Sequence, residues 1–260
     1  MAVLTSIQSE LQTVEIQMSK EIHSRSLNME ELIDLQLDDF QRLLSPTISL
    51  AVSRIAGPIS KTMISMSCIF QYIFLAHYIH GPVKDGNITE SDCQYPVLIG
   101  DFMFGQLFVK MCEKDLFPYV SLFATVIKTI NEGIVLRWRF KHKKMTIKDY
   151  RIIIGKERAS LTALAGRLSA EVSGIKDQYI PKFEEFGYNT GMAWAAAEES
   201  IYSFLVQEYL AKVKTNINEL REYLSVTPLQ ELYDFFQMEI SKNTVSVTPY
   251  TPSIRASAIR

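Results

Sequence analysis

The chain has 260 residues, 47% of them apolar and 22% charged, and a formal net charge of −2. That apolar share excludes disorder over most of its length, and 27 Lys and Arg against 29 Asp and Glu exclude a nucleic-acid binder working through bulk positive charge. Its 3 cysteines, Cys68, Cys93 and Cys112, are too scattered for a disulfide framework or a C-x-x-C metal site and point to a reducing compartment.

Glycine (11) and proline (9) are scarce, with long apolar-periodic stretches between them, so the expected class is all-α, a single-domain helical bundle over 1–240. The first ten residues lack the pattern of a secretory signal, which makes the expected location cytoplasmic, with peripheral contact at a membrane left open. A first helix is expected over 6–23. A second begins at Asn28, with Glu31 completing a capping box, and runs towards Leu44 with Leu32, Leu35, Leu37 and Phe40 on its apolar side. Pro46 should restart the chain and leave a short buried helix over 48–55.

A nearly continuous apolar helix follows over 60–80, stopped by Gly81-Pro82. Ser65, Ser67, Gln71 and His77 interrupt it, and its apolar part is shorter than the ~20 residues of a bilayer span, so it reads as a core helix and not a transmembrane segment. A polar loop over 84–94 carries the Asp85-Gly86-Asn87 turn signal. Apolar helices over 95–114 and 117–140 come next, the latter running into Arg137, Arg139, Lys141, His142, Lys143 and Lys144. Thr146 to Asp149 forms a capping box for a helix reaching Ser173, with Gly174 in the C′ slot. One or two long helices occupy 181–224. Thr227-Pro228 with Gln230 starts a last one over 229–240, and the Ser-, Thr- and Pro-rich stretch 241–260 is expected to be a disordered tail.

Few residues suggest chemistry on their own. His77 and His80 share a helix face and Cys93 follows, but no fourth metal ligand is visible, so core or helix-end histidines are the simpler reading. Nucleophile-elbow, phosphate-loop and dinucleotide signatures are absent. The basic run suits a helix C-terminus; the functional alternative is contact with an anionic headgroup, a diphosphate or an acidic partner. Glu198 and Glu199 point about 100° apart on a helix and would ordinarily lie on a solvated face, while the small residues 193–197 before them would let a helix or ligand approach closely.

Taken in order, several segments resemble the trans-isoprenyl diphosphate synthases (the polyprenyl synthetase family). Val97-Leu98-Ile99-Gly100-Asp101-Phe102-Met103-Phe104 is similar to that family's V-L-x-G-D-Y-L-F helix, and Asn131-Glu132-Gly133 with Leu136 resembles E-G-E-x-x-Q. The stretch 146–168 resembles T-x-x-x-Y-x-x-x-I-x-x-K-T-A-x-L, and Gly191-Met192-Ala193-Trp194 resembles G-x-A-F-Q. The likeness spans about 43–224 and implies the isoprenoid-synthase bundle, in shortened form.

The departures from the pattern carry more information. Active members hold magnesium with two D-D-x-x-D motifs on facing helices, and the metal grips the allylic diphosphate. In the slots of the first motif stand Gly81, Pro82, Val83, Lys84 and Asp85, of which only Asp85 is acidic. The second keeps Glu198 and Glu199 and ends in Tyr202. Arg42 is the one basic residue left of the G-K-R-x-R-P diphosphate site, Glu157 and Arg158 replace K-T, and Arg137 replaces the glutamine of E-G-E-x-x-Q. Losing one oriented electrostatic group commonly costs about 10²–10³ in rate, and several are lost here.

The resemblance therefore implies a degenerate member without catalytic residues or a metal of its own. It is similar to the small subunits (component I) of heterodimeric long-chain synthases, such as the heptaprenyl diphosphate synthase of menaquinone-producing bacteria. Such a chain would pair with a catalytic subunit that supplies both aspartate motifs and Mg2+. The helices over 63–80 and 95–114 are expected to form the partner face, since the former is apolar nearly all round and needs cover on every side. Arg42 and Arg137 are candidate diphosphate contacts. Ile73, Ala76 and His77 are candidate contacts for a prenyl tail, against ordinary core packing. Two other readings remain: a stand-alone isoprenoid-binding or regulatory protein, and an enzyme using Asp85, Glu198, Glu199 and His80.

Overall fold

The computed structural model describes residues 4–23, 39–80, 90–113 and 115–245, and among these every regular element is helical. The order is α1 (Gln8–His23), α2 (Asp39–Ala56), α3 (Lys61–His80), α4 (Glu90–Glu113), α5 (Val120–Arg139), α6 (Ile147–Ile154), α7 (Ser160–Val172), α8 (Ile180–Glu199), α9 (Phe204–Arg221) and α10 (Thr227–Val245). A π-helical turn, Gly155–Ala159, joins α6 to α7 without a break. Residues 28–38 of the helix expected from Asn28, the residues of the first aspartate-motif slots including Asp85, and the tail beyond 245 lie outside the described residues, while the end of that expected helix forms the first turns of α2.

α3 is the axis of the bundle. Its apolar surface runs all round because α1, α2, α4 and α7 pack about it, and 83% of its most apolar window is buried inside the protein. This corrects the expected partner face: the cover that α3 needs comes from its own chain. A hydroxyl seam ties the axis in place. Ser67 donates to Ser49 at 3.0 Å, Ser169 to Ser49 at 2.8 Å, and Ser67 also to the Met63 carbonyl, so small buried side chains let α2, α3 and α7 approach while satisfying one another. On the far side Glu21 of α1 accepts from Tyr72 of α3 and from the buried Lys110 of α4.

Three boundaries differ from expectation. α2 continues straight through Pro46, where a break was expected. Leu43, Leu44, Ile48, Leu50 and Val52 on both sides of the proline are buried, and Thr47 donates to the Leu43 carbonyl at 2.7 Å, so packing outweighs the missing amide donor. α4 begins at Glu90, taking in the end of the expected polar loop. α10 extends to Val245, beyond the expected end of the domain. The capping box at Thr146 forms as expected, its hydroxyl accepting from the Asp149 amide. Gly174 takes φ +76° and closes α7, the Ile175 amide donating to Ala170 and its own to Glu171.

α7 and α8 form the tightest pair. A Cβ at Gly187 or Gly191 would come within 2.1 Å of Thr162, so these positions admit only glycine at this separation. Ala193, Ala195 and Ala196 are fully buried, and the close approach that the small-residue segment permits is therefore made by the protein's own helices. Two stretches, Lys61–His80 and Phe117–Arg139, are long and apolar enough by length and composition to cross a membrane. The first is the bundle axis, whereas only 22% of the second's window is buried.

Candidate functional site

The remnant positions of the second motif, Glu198 and Glu199, lie where the C-terminal end of α8 meets the last two turns of α5 and the π turn. Local backbone features make the meeting possible. Gly133 on α5 lies against the π turn, where a Cβ would sit 2.7 Å from Glu157 Cγ. The π turn presents Lys156, Glu157 and Arg158 between α6 and α7, an irregularity of the kind often found at functional sites. α8 stops immediately after Glu199 because Ser200 takes the left-handed conformation, φ 54°, at a cost of about 1–2 kcal/mol for a non-glycine residue.

Arg137 is the hub. Its Nε donates to Glu157 Oε2 at 2.7 Å, and its two terminal nitrogens donate to the two oxygens of Glu199 at 3.0 and 2.7 Å. This bidentate fork is the strongest form of such a contact. Burial opposes the charge of the guanidinium, but the hydrogen bond to Glu157 and the charge of Glu199 outweigh it and hold its proton more tightly than usual. Burial pushes the Glu199 carboxyl above the ordinary glutamate range, against the pull of Arg137. The Tyr150 phenol beside it is pushed up too, first by burial and then by the Glu199 charge.

Arg158 makes the second half of the junction. It lies 3.6 Å from Glu198 and stacks over the rings of Trp194 (5.2 Å) and Phe74 (6.0 Å). Those rings, from α8 and α3, are 5.7 Å apart, so the space between the two helices is filled by aromatic side chains with a guanidinium over them. At the edge Lys156 donates to Glu132 at 2.7 Å, and that contact holds the Glu132 carboxyl below its usual range.

Glu198 and Glu199 are thus half-buried and met by arginines, where a solvated face was expected. Arg137 donates to carboxylates of its own chain. Arg42 lies within α2, its side chain outside the described residues. Ile73 and Ala76 are fully buried in the core. His77 Nδ1 donates to the Ile73 carbonyl at 2.9 Å, while its ring packs edge-on to Phe104. Open surface hollows around Gln237 and around Gln230 are lined by none of these residues. His80 lies over Gly100, with a ring nitrogen 3.2 Å from the Val97 carbonyl and 3.6 Å from Asp101. Cys68 is buried, which pushes its thiol up to about 12, and Cys112 is exposed.

Magnesium takes hard oxygen ligands, chiefly carboxylates and phosphates, in near-octahedral array. Both oxygens of Glu199 are held by Arg137, Glu157 is held by the same side chain, and Glu198 faces Arg158. No group of three or more His, Cys, Asp or Glu among the described residues is placed to hold a metal ion. A dication here would have to displace two guanidiniums, so the junction does not fit the metal. Sequence reasoning placed Arg137, Glu157, Arg158, Glu198 and Glu199 on motif slots, but not Lys156 or Phe74. It missed the pairing, for which the one available signal was the arrival of Arg137 and Arg158 together with two retained glutamates.

Residues 89–219, half of the chain, match the polyprenyl synthetase family. No curated protein matches. Among solved structures, the chain is similar to the polyprenyl synthase of Caulobacter crescentus CB15, complexed with calcium and isoprenyl diphosphate. The TM-score is 0.75 at 18% identity, over 90% of this chain and 97% of that one. A geranyltranstransferase from Methanosarcina mazei gives 0.69 at 17% identity (90% and 97%), and a decaprenyl diphosphate synthase from Rhodobacter capsulatus 0.69 at 15% (92% and 97%). At such identities the structures speak for the fold, which is the all-α isoprenoid-synthase bundle. On the match over half its length, this chain belongs to the polyprenyl synthetase family.

Proposed function

We propose that the chain is the non-catalytic small subunit of a two-chain, long-chain all-trans polyprenyl diphosphate synthase of the menaquinone side-chain type. Its catalytic partner carries both aspartate-rich motifs and their Mg2+. The observation that carries this reading is the clamping of Glu199 and Glu157 by Arg137 and the facing of Glu198 by Arg158. A site that must receive a dication and a diphosphate needs carboxylates left open to metal, whereas this one is neutralised from within.

The outer side of the bundle supports a partner. Leu98 is 65% exposed and Phe108 48% on α4, and Val109 beside Phe108 and Phe117 at the start of the α5 stretch are exposed as well. With most of α5's apolar window uncovered, the α4–α5 side is the partner face in this reading, in place of α3.

The test is reconstitution. The chain alone, given farnesyl and isopentenyl diphosphates with magnesium, is expected to form no product. Mixed with a catalytic subunit from the same cell, it is expected to co-purify and to restore long-chain synthesis. Turnover by the isolated chain would overturn the reading, and so would a homodimer that ignores every synthase subunit.

A further inference from the structure

The junction uses Arg137, but the basic run beyond it is left over. From Gly133 to Lys148 the sequence holds six Lys and Arg and no carboxylate, in a chain whose net charge is −2. The structure gathers this stretch into an exposed turn at the end of α5. The Phe140 amide donates to the Arg137 carbonyl, Lys141 to Trp138 and Lys143 to Phe140, and the Thr146 cap then starts α6. Arg139, His142, Lys143, Lys144 and Lys148 are exposed and form no ion pair among the described residues. Trp138 is 63% exposed at the same turn, with Val135 and Ile147 exposed before and after it.

An indole that gains nothing from the core is unusual, because tryptophan is highly buried on average. The combination matters more than any one residue. A tryptophan and two aliphatic side chains stand exposed within one short stretch that also exposes Arg139, Lys143, Lys144 and Lys148, so apolar and cationic surface lie together. That is the complement of a bilayer surface with anionic headgroups, where indoles settle at headgroup level and long cationic side chains reach outwards. A nucleic-acid strand or an acidic protein would match the charge but would leave Trp138, Val135 and Ile147 without an apolar phase to enter.

We propose that the turn 135–148 is a peripheral docking site for an anionic lipid surface, with Trp138 as the inserted residue and Arg139, Lys143, Lys144 and Lys148 as the headgroup contacts. The proposal concerns this chain's own surface and does not depend on a catalytic partner, so its failure and the failure of reconstitution are separate results.

Sedimentation of the full chain with phosphatidylcholine vesicles, with and without about one-third phosphatidylglycerol, tests it. Binding is expected only to the anionic vesicles and is expected to be lost at high salt. Trp194 is buried, so a blue shift of tryptophan emission on binding reports Trp138. Each cation at such a surface is worth roughly fivefold in binding, so R139A/K143A/K144A should weaken it about a hundredfold while circular dichroism stays unchanged. W138A should weaken it and remove the blue shift. The proposal is overturned if the anionic vesicles do not bind, if the triple variant binds as well as the parent, or if a soluble polyanion such as heparin shifts Trp138 while vesicles do not.

Discussion

The junction of α5, the π turn and α8 and the outer side of α4 and α5 are in opposite states. At the junction polar groups are matched against each other: Arg137 holds two carboxylates, and Arg158 faces a third and two aromatic rings. On the outer side Leu98, Phe108 and Phe117 meet solvent although they would gain about 25 cal/mol per Å² on being covered. The first region meets its charges from its own chain, with only Glu157 Oε1 and the Tyr150 hydroxyl left without a hydrogen bond among the described residues, and the second is left to solvent. In an enzyme of this fold the balance should run the other way at the junction, with charge left open for a ligand to satisfy. A self-paired interior and an uncovered apolar exterior are what the proposed partner-dependent subunit would require.

Arg137→Ala attacks this contrast hardest. It leaves Glu199 and Glu157 without their hydrogen-bonded partner and with only the more distant charge of Arg158, and it should lower unfolding stability by about 3 kcal/mol. The low end of the range for a broken buried pair applies because the arginine side chain is 33% exposed. E199Q should cost less, since Glu157 still balances the guanidinium, and a double-mutant cycle should show strong coupling. Urea titrations that find R137A as stable as the parent would mean that the junction is not self-satisfied.

The outer face gives the converse result. L98D/F108D should leave stability within about 0.5 kcal/mol, because both residues are exposed. Affinity for the catalytic subunit should fall by about 2 kcal/mol or more, roughly thirtyfold, if the pair lies in the centre of the interface. Calorimetric titration of the two subunits reads this directly.

What the sequence revealed follows from how local each cause is. The Thr146 capping box and the Gly174 helix stop are read from four or five neighbouring residues and are found where expected. Pro46 is also a local signal, but its neighbours are buried in a helix that packs against four others, and that packing overrides it. The helices over 63–80 and 95–114 were both assigned to the partner face on apolarity. Apolarity says only that a surface must be covered, not which chain covers it: the protein's own helices cover α3, while α4 keeps Leu98, Phe108 and Val109 exposed. The junction lies between these cases. Its members sit on family slots, yet Arg137 and Glu199 are 62 positions apart and meet only because a π turn and the left-handed Ser200 bring their helices together. Neither of those backbone features has a signature in residue type.

Gln71 sharpens the comparison from inside. It is buried on α3, and both ends of its amide are without a hydrogen-bond partner among the described residues. It differs from the junction in degree: there Glu157 Oε1 and the Tyr150 hydroxyl lack a hydrogen bond, but Glu157 is held through its other oxygen, whereas the Gln71 amide is matched at neither end. Gln71→Leu should raise stability by about 1 kcal/mol, since an unpaired buried amide pays desolvation without return. Thermal melts would detect this, and a loss of stability would mean that the amide is satisfied and the interior polar groups are matched throughout.

The smallest effect concerns a pair built like the junction but standing in solvent. Arg151 of α6 donates to both oxygens of Glu208 on α9, at 2.7 and 2.6 Å, and Lys212 adds a third contact. The Arg151 hydrogen bonds hold the Glu208 carboxyl down to about 2, from an ordinary 4.5. A carboxyl lowered by folding contributes stability that is complete above about pH 4.5 and is lost as pH falls towards 2. Glu199 has the opposite sign: its raised carboxyl binds a proton more readily in the folded state, so acidification does not destabilise the protein through it. E208Q should therefore remove part of the acid-side loss, less than about 1 kcal/mol because the pair is exposed, and salt near 1 M should remove the same part from the parent. R137A should stay destabilised at that salt, because its unmatched carboxylates are sheltered from the ions that screen Glu208.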